Sequence, residues 1–162
     1  MALVVAGLTA CANQPSTVPE VRSAPALSLE AAAPRAGTCQ PPIEVLRAWD
    51  AQRAEAWARG EPRLLAPLYT PASVAGRRDR AMLRAWAERG LVVRDLRTQL
   101  LSVRVLRHTR STWTLLVTDR LAGAVAVGRG EGRALPRDEA TTRVVRLRWV
   151  GGAWRVASVL PG

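Results

Sequence analysis

Side chains able to do acid–base, nucleophilic or metal chemistry are few in this 162-residue chain, and they are widely spaced. There is one histidine, His108, one tyrosine, Tyr69, two cysteines, Cys11 and Cys39, and 13 acids. One histidine and two separated cysteines give none of the ligand spacings that zinc sites use, so no metal site is expected, and no cofactor either. The glycines of GRGEGR, Gly128 to Arg133, lack the strand-to-helix setting of a phosphate cradle and read as a hairpin loop carrying charges. No motif fixes a set of catalytic groups around a common point.

What the chain has in abundance is arginine. All 24 of its positive residues are arginine, and the net charge is +11. A G+C-rich genome explains arginine in place of lysine, but not the excess over the acids. A surface meant for anions explains the excess. Arg22 and Arg35 are cancelled by Glu20 and Glu30, so the whole surplus falls after residue 40.

Residues 2–10 are apolar and small, and Cys11 follows them directly. Such a run is too short to cross a bilayer as a helix, which takes about 20 residues, but it fits the apolar core of a signal peptide. Its end, Leu8-Thr9-Ala10-Cys11, resembles the lipobox of bacterial lipoprotein signals. That resemblance implies cleavage before Cys11 and lipidation of its thiol, with the protein held at the extracytoplasmic face of the cell membrane. Two or more acyl chains give stable anchoring. The departure is that no Lys or Arg precedes the apolar run, which places the start of a full signal upstream of Met1. If Cys11 is lipidated, Cys39 has no partner in the chain and is either an incidental thiol or a link to another chain.

Three segments are therefore expected: a signal over 1–10, a lipidated cysteine and disordered linker over 11–40, and one domain over 41–162. The linker is rich in Pro, Ala, Ser and Thr and has no aromatic residue. About 30 residues of such chain reach roughly 30 Å. After Pro41-Pro42 the pattern turns helical, with Ile43, Leu46, Trp49, Arg53 and Trp57 in register and Gly60 and Pro62 as stops. Arg53 either stacks between the two tryptophans or snorkels past them as they pack in the core. RLLAPLY gives a short helix. GRRDRAMLRAWAERG gives a third, with Met82, Leu83 and Trp86 inward, Asp79 in the first turn and Gly90 as its cap.

From there the period becomes two. TQLLSVRVLRH, STWTLLVTDRL, TTRVVRLRWV and AWRVASVL are strands, the last pair joined by a Gly151-Gly152 turn. That turn sets Trp149 opposite Trp154, Leu147 opposite Val156 and Arg148 opposite Arg155. Helices followed by a meander make an α+β domain: N-terminal helices on a curved antiparallel sheet of about four long strands.

The order of elements from Ile43 onward resembles the nuclear transport factor 2-like superfamily, whose bent sheet wraps the helices into a cone. The carrying segments are LLAPLYTPASVAGRRDRAMLRAWAERG, RTQLLSVRV, TWTLLVTDRL and RVVRLRWVGGAWRVASV. One departure is visible: members usually place a strand pair before the third helix, and only PASVAG is available here. The resemblance makes inward polar residues the ones to weigh. Alternation puts Trp113, Leu115, Val117 and Asp119 on one face of their strand, and Arg143, Val145, Leu147 and Trp149 on one face of the next. If these faces are concave, Asp119 and Arg143 form an ion pair in a candidate pocket with Trp113, Trp149, Trp154 and Tyr69. Such a pair orients a ligand or closes the end of the cone. Ketosteroid isomerases and polyketide cyclases of the superfamily imply an enzymatic version with Asp119, Tyr69 and His108 as its parts. By alternation His108 faces water.

The opposite parity carries Arg104, Arg146, Arg148 and Arg155 without an acid among them. This is a solvated outer face or a basic patch for an acidic envelope protein, anionic lipid or wall polymer. No aromatic interleaves these arginines as a nucleic-acid platform requires, and nucleic acid is not expected. The functional expectation is a non-enzymatic binding module. The alternative is a cone-pocket enzyme acting on a hydrophobic small molecule.

Overall fold

Two prolines start the first helix. Pro41 is extended, and Pro42 occupies the first turn of α1 (Pro42–Arg59), where an N–H would have no helical partner anyway. The computed structural model describes residues 40–162, so the signal, Cys11, Cys39 and the linker before Gln40 lie outside the described residues. Gly60 ends α1 at φ 67°, its N–H donating to the carbonyls of Ala56 and Trp57. Glycine is the residue that takes this left-handed conformation without penalty. A 3-10 helix follows over Pro62–Leu68, then α2 (Val74–Glu88). The α2 start lies two residues before Gly76 because Ser73 caps it, its Oγ accepting from the Gly76 N–H at 3.2 Å. No helix among the described residues is long and apolar enough to cross a membrane.

Five antiparallel strands follow: β1 (Val92–His108), β2 (Thr112–Val127), β3 (Arg133–Ala134), β4 (Thr141–Val150) and β5 (Ala153–Pro161). The sheet order is β1-β2-β4-β5, and the two-residue β3 pairs with the far end of β2. The GRGEGR segment is the connection that leads into β3. In the β4–β5 hairpin, Trp149 pairs with Trp154, Arg148 with Arg155 and Leu147 with Val156. Gly151 and Gly152, at φ 60° and 79°, supply the tight turn that sets this register.

Strand β1 breaks register with β2 between Arg94 and Arg97, Leu100 and Ser102, and Val105 and Arg107. Bulges bend a strand and increase its twist, and here they curl the sheet around the helices. Asp95, in the first of them, sits at φ 53°, a region Asp tolerates better than most residues.

The core fills the concave side. Leu65, Leu83, Leu115, Leu147, Val117 and Val156 are almost wholly buried there. On α2 the inward positions are Asp79, Leu83 and Trp86, at helical spacing, while Met82 is 49% exposed. Met82 is therefore not inward as its hydrophobicity suggested; the buried position one turn before Leu83 belongs to a carboxylate.

Gly76 shows how tightly the 3-10 segment is held. A Cβ at this position would stand 2.5 Å from Tyr69 Cγ, and the Tyr69 hydroxyl is fixed by a hydrogen bond to Asp79. Gly76→Ala is expected to destabilise the domain by about 1–3 kcal/mol, the range for overpacking a filled site. Urea denaturation measures this; an unchanged midpoint would show that the ring has room to retreat.

Candidate functional site

Three groupings of polar residues can be built from these elements. The first is buried. Arg53 on α1 donates from Nε and Nη2 to the two Asp79 oxygens at 2.8 and 3.0 Å. Trp57 Nε1 donates to Oδ1 at 3.1 Å and the Tyr69 hydroxyl to Oδ2 at 2.8 Å. One α2 carboxylate thus gathers four donors, three from α1 and one from Tyr69 at the end of the 3-10 helix, and Arg53 also lies over the Trp57 ring at 5.9 Å. Burial pushes the Tyr69 phenol far above its ordinary range, and the neighbouring Asp79 charge adds to it. Tyr69 is therefore a fixed donor. Burial opposes the Arg53 charge, but its hydrogen bonds to Asp79 and the charge of Asp79 turn the net shift upward. The two tryptophans do not sandwich Arg53: Trp49 turns away, donating to the Leu68 carbonyl at 3.0 Å and meeting Tyr69 edge-on. Helical spacing gives the signal for this grouping, since Asp79 sits one turn before Leu83; the first-turn place expected for it is not observed, because α2 starts at Val74 and has no acid in its first turn.

The second grouping lies on the concave face of β2 and β4. Val117 pairs with Arg143 and Asp119 with Thr141. This diagonal brings Arg143 Nη2 to 3.3 Å from Asp119 Oδ1. Arg143 also donates to Thr141 Oγ1 from Nε and Nη2. Asp119 is raised above the usual carboxylate range by burial, against the opposing pull of Arg143, and the nearby Asp50 charge adds to the rise. Asp50 on α1, which accepts from Thr98 Oγ1 at 3.0 Å, is raised by burial too.

A carboxylate whose folded pKa is raised binds its proton more tightly folded than unfolded. Stability then falls as pH rises through the window above the unfolded value, near 3.8. Asp50→Asn removes that cost and still offers Thr98 an acceptor. It is expected to raise the melting temperature at neutral pH, with the gain shrinking to nothing below the ordinary carboxylate range. Melting curves at several pH values check this; a gain independent of pH would show that burial of the charge is not the cause.

The tryptophans of this face pack on one another. Trp113 stacks on Trp154 with centroids 4.1 Å apart, and Trp154 meets Trp149 edge-on at 5.4 Å. Trp113 is 4% exposed, and its Nε1 is buried without a hydrogen-bond partner among the described residues. Asp119, Tyr69 and His108 are not gathered at one point: Asp119 pairs with Arg143, Tyr69 serves Asp79, and His108 is exposed. The β1 bulge before Arg107 reverses the parity from which His108 was placed. His108 pairs with Trp113 and sets its ring 5.7 Å from that indole, on the inner side of the sheet.

The same bulge enlarges the third grouping, the outer face. Arg107 pairs with Thr114, which pairs with Arg146; Thr112 pairs with Arg148, which pairs with Arg155; Arg104 pairs with Leu116. Arg107 thus joins Arg104, Arg146, Arg148 and Arg155, a residue strict alternation could not place. Neighbouring strands stand about 4.8 Å apart, and alternate residues on one strand about 7 Å. Four of the five arginines are exposed and Arg155 is half-buried. None of the five takes part in an ion pair among the described residues. Strands β4 and β5 contain no acid, and the single acid of β2, Asp119, points inward. Arg155 Nε is buried with no hydrogen-bond partner among the described residues.

No protein-family model matches the chain, and a comparison with curated proteins finds no match. Solved structures do resemble it. The intermembrane space region of chloroplast protein ARC6 is 14% identical, with TM-score 0.50, over 74% of this chain and 93% of that one. A scytalone dehydratase-like protein from Novosphingobium aromaticivorans is 10% identical, with TM-score 0.50, over 72% and 80%. Aln2 from a Streptomyces species is 14% identical, with TM-score 0.50, over 75% and 90%. At these identities the likeness speaks for the architecture alone, and residues 40–162 have the helix-filled, curved-sheet cone of the nuclear transport factor 2-like fold.

Proposed function

We propose that the chain is a membrane-anchored extracytoplasmic lipoprotein whose cone domain is a non-enzymatic binding module, holding an acidic partner on the outer face of its sheet. The observation that carries the binding role is the group of five arginines without an acid among them. Directly opposed like charges such as Arg148 and Arg155 cost a few tenths to about 1 kcal/mol, a cost that an arriving anion turns into attraction. The partners that fit are an acidic envelope protein, anionic lipid or cell-wall polymer. Threonines at 112, 114, 118 and 142 add hydroxyls to the same face. The groups an enzymatic version would need are engaged elsewhere, Asp119 with Arg143 and Tyr69 with Asp79.

The anchor rests on Leu8 to Cys11, and mass spectrometry of the native protein tests it: a diacylglyceryl-modified N-terminal Cys11 supports it, and an uncleaved, unlipidated chain overturns it. Binding is tested by co-sedimentation of the purified chain with envelope fractions and phosphatidylglycerol vesicles at rising salt. Capture that falls steeply with salt supports an arginine-driven contact. Capture that is absent, or unchanged by salt, contradicts it.

A further inference from the structure

The edge of β5 opens onto an unfilled groove. One wall is the first turn of α2, and the other is the last stretch of β5 with the start of β4; the open volume is about 820 Å³, within the range of small-molecule sites. Its apolar residues include Val74, Ala75, Val159 and Leu160, and Val74 and Leu160 stand 50% and 57% exposed. Two cations also line it, Arg78 and Arg143.

Strand addition by a peptide does not suit this edge. Thr70 already donates to the Val156 carbonyl, the β4–β5 register shifts after Arg146, and Pro161 has no N–H to offer. A ligand without a peptide backbone does suit it. The charge balance specifies its head group: Arg143 is offset by Asp119 at 3.3 Å, while Arg78 is exposed and takes part in no ion pair among the described residues. One uncompensated cation beside exposed aliphatic surface matches one anionic head on one apolar chain.

We propose that the groove between α2 and β5 binds a single-chain carboxylate amphiphile of the fatty-acid class, with its head on Arg78 and its chain along Val74, Ala75 and Val159. This is a second site, centred on α2 and the inward side of β5; it meets the outer face at its rim, where Thr142 and Ser158 lie and Ser158 pairs with Arg146.

The test is calorimetric titration of the full chain with laurate below its micelle concentration, with dodecyltrimethylammonium as the cationic counterpart. Laurate is expected to bind and the cation not to. Arg78→Gln is expected to weaken laurate at least tenfold. Val74→Asp sets a negative charge in the groove while remaining a favourable first residue for the helix; it is expected to remove laurate binding with the melting temperature held. Arg104→Gln with Arg148→Gln, at outer arginines that pair with no residue of the groove, is expected to leave laurate affinity unchanged. No binding of laurate, equal binding of the two detergents, or laurate affinity indifferent to both Arg78→Gln and Val74→Asp would each overturn the proposal.

Discussion

Replacing Asp79 with alanine is expected to destabilise the domain by about 3–5 kcal/mol, the range for removing one partner of a buried ion pair. The carboxylate is 6% exposed and serves Arg53, Trp57 and Tyr69 at once. Its loss leaves a largely enclosed guanidinium, an indole N–H and a phenol without acceptors, and each unmet buried donor carries a desolvation cost. Domains of this size are stable by only about 5–15 kcal/mol, so the variant sits near the limit of folding. The compensated pair Arg53→Met with Asp79→Leu is expected to recover much of the loss, because it removes the charges together. Urea denaturation of the single and double variants decides the point. A single-variant cost below about 1 kcal/mol would mean that solvent reaches the network and replaces the carboxylate.

The second large effect concerns binding and runs opposite to stability. Neutralising Arg146, Arg148 and Arg155 to glutamine is expected to weaken attachment to an anionic surface about a hundredfold. The figure follows from about 1 kcal/mol for each arginine near such a surface. The same variant removes the Arg148–Arg155 opposition and the unpartnered Arg155 Nε, so its stability is expected to hold or rise slightly. Vesicle co-sedimentation and thermal melting are read together. Weakened binding in a protein that melts no earlier points to a working surface, whereas weakened binding with a lowered melting temperature would point to structural arginines.

Much of the architecture was legible because the sequence announces it locally. Gly60 and Gly90 end the helices, and Gly151-Gly152 fixes the β4–β5 register as far as the Leu147–Val156 pair, beyond which it shifts. The inward set of β2 and β4 follows from alternation, since these two strands pair with each other without a register shift. Strand β1 was read less well. Its bulges are set by pairing with β2, which alternation along one strand cannot reveal, and so Arg107 joins the outer face unforeseen, while His108 is exposed as expected although it pairs with Trp113. The Asp79 network was missed for a different reason. With the helix expected to start at Gly76, Asp79 falls in its first turn and has an ordinary explanation as a dipole partner; α2 instead starts at Val74, and the donors that enclose Asp79 come from α1 and Tyr69. The α2–β5 groove depends on two segments that meet from opposite ends of the domain, and nothing local encodes it.

The central claim is that the outer arginine face, and not the interior of the cone, meets the partner. The most direct test follows the arginine Nε–H and tryptophan indole N–H resonances of the full chain during titration with a soluble polyanion. The account predicts that Arg104, Arg107, Arg146, Arg148 and Arg155 shift first and together, while Arg53 and the Trp113 indole stay in place. Shifts led by Trp113 and Arg143, or spread evenly over the α2 arginines and the sheet, would contradict it.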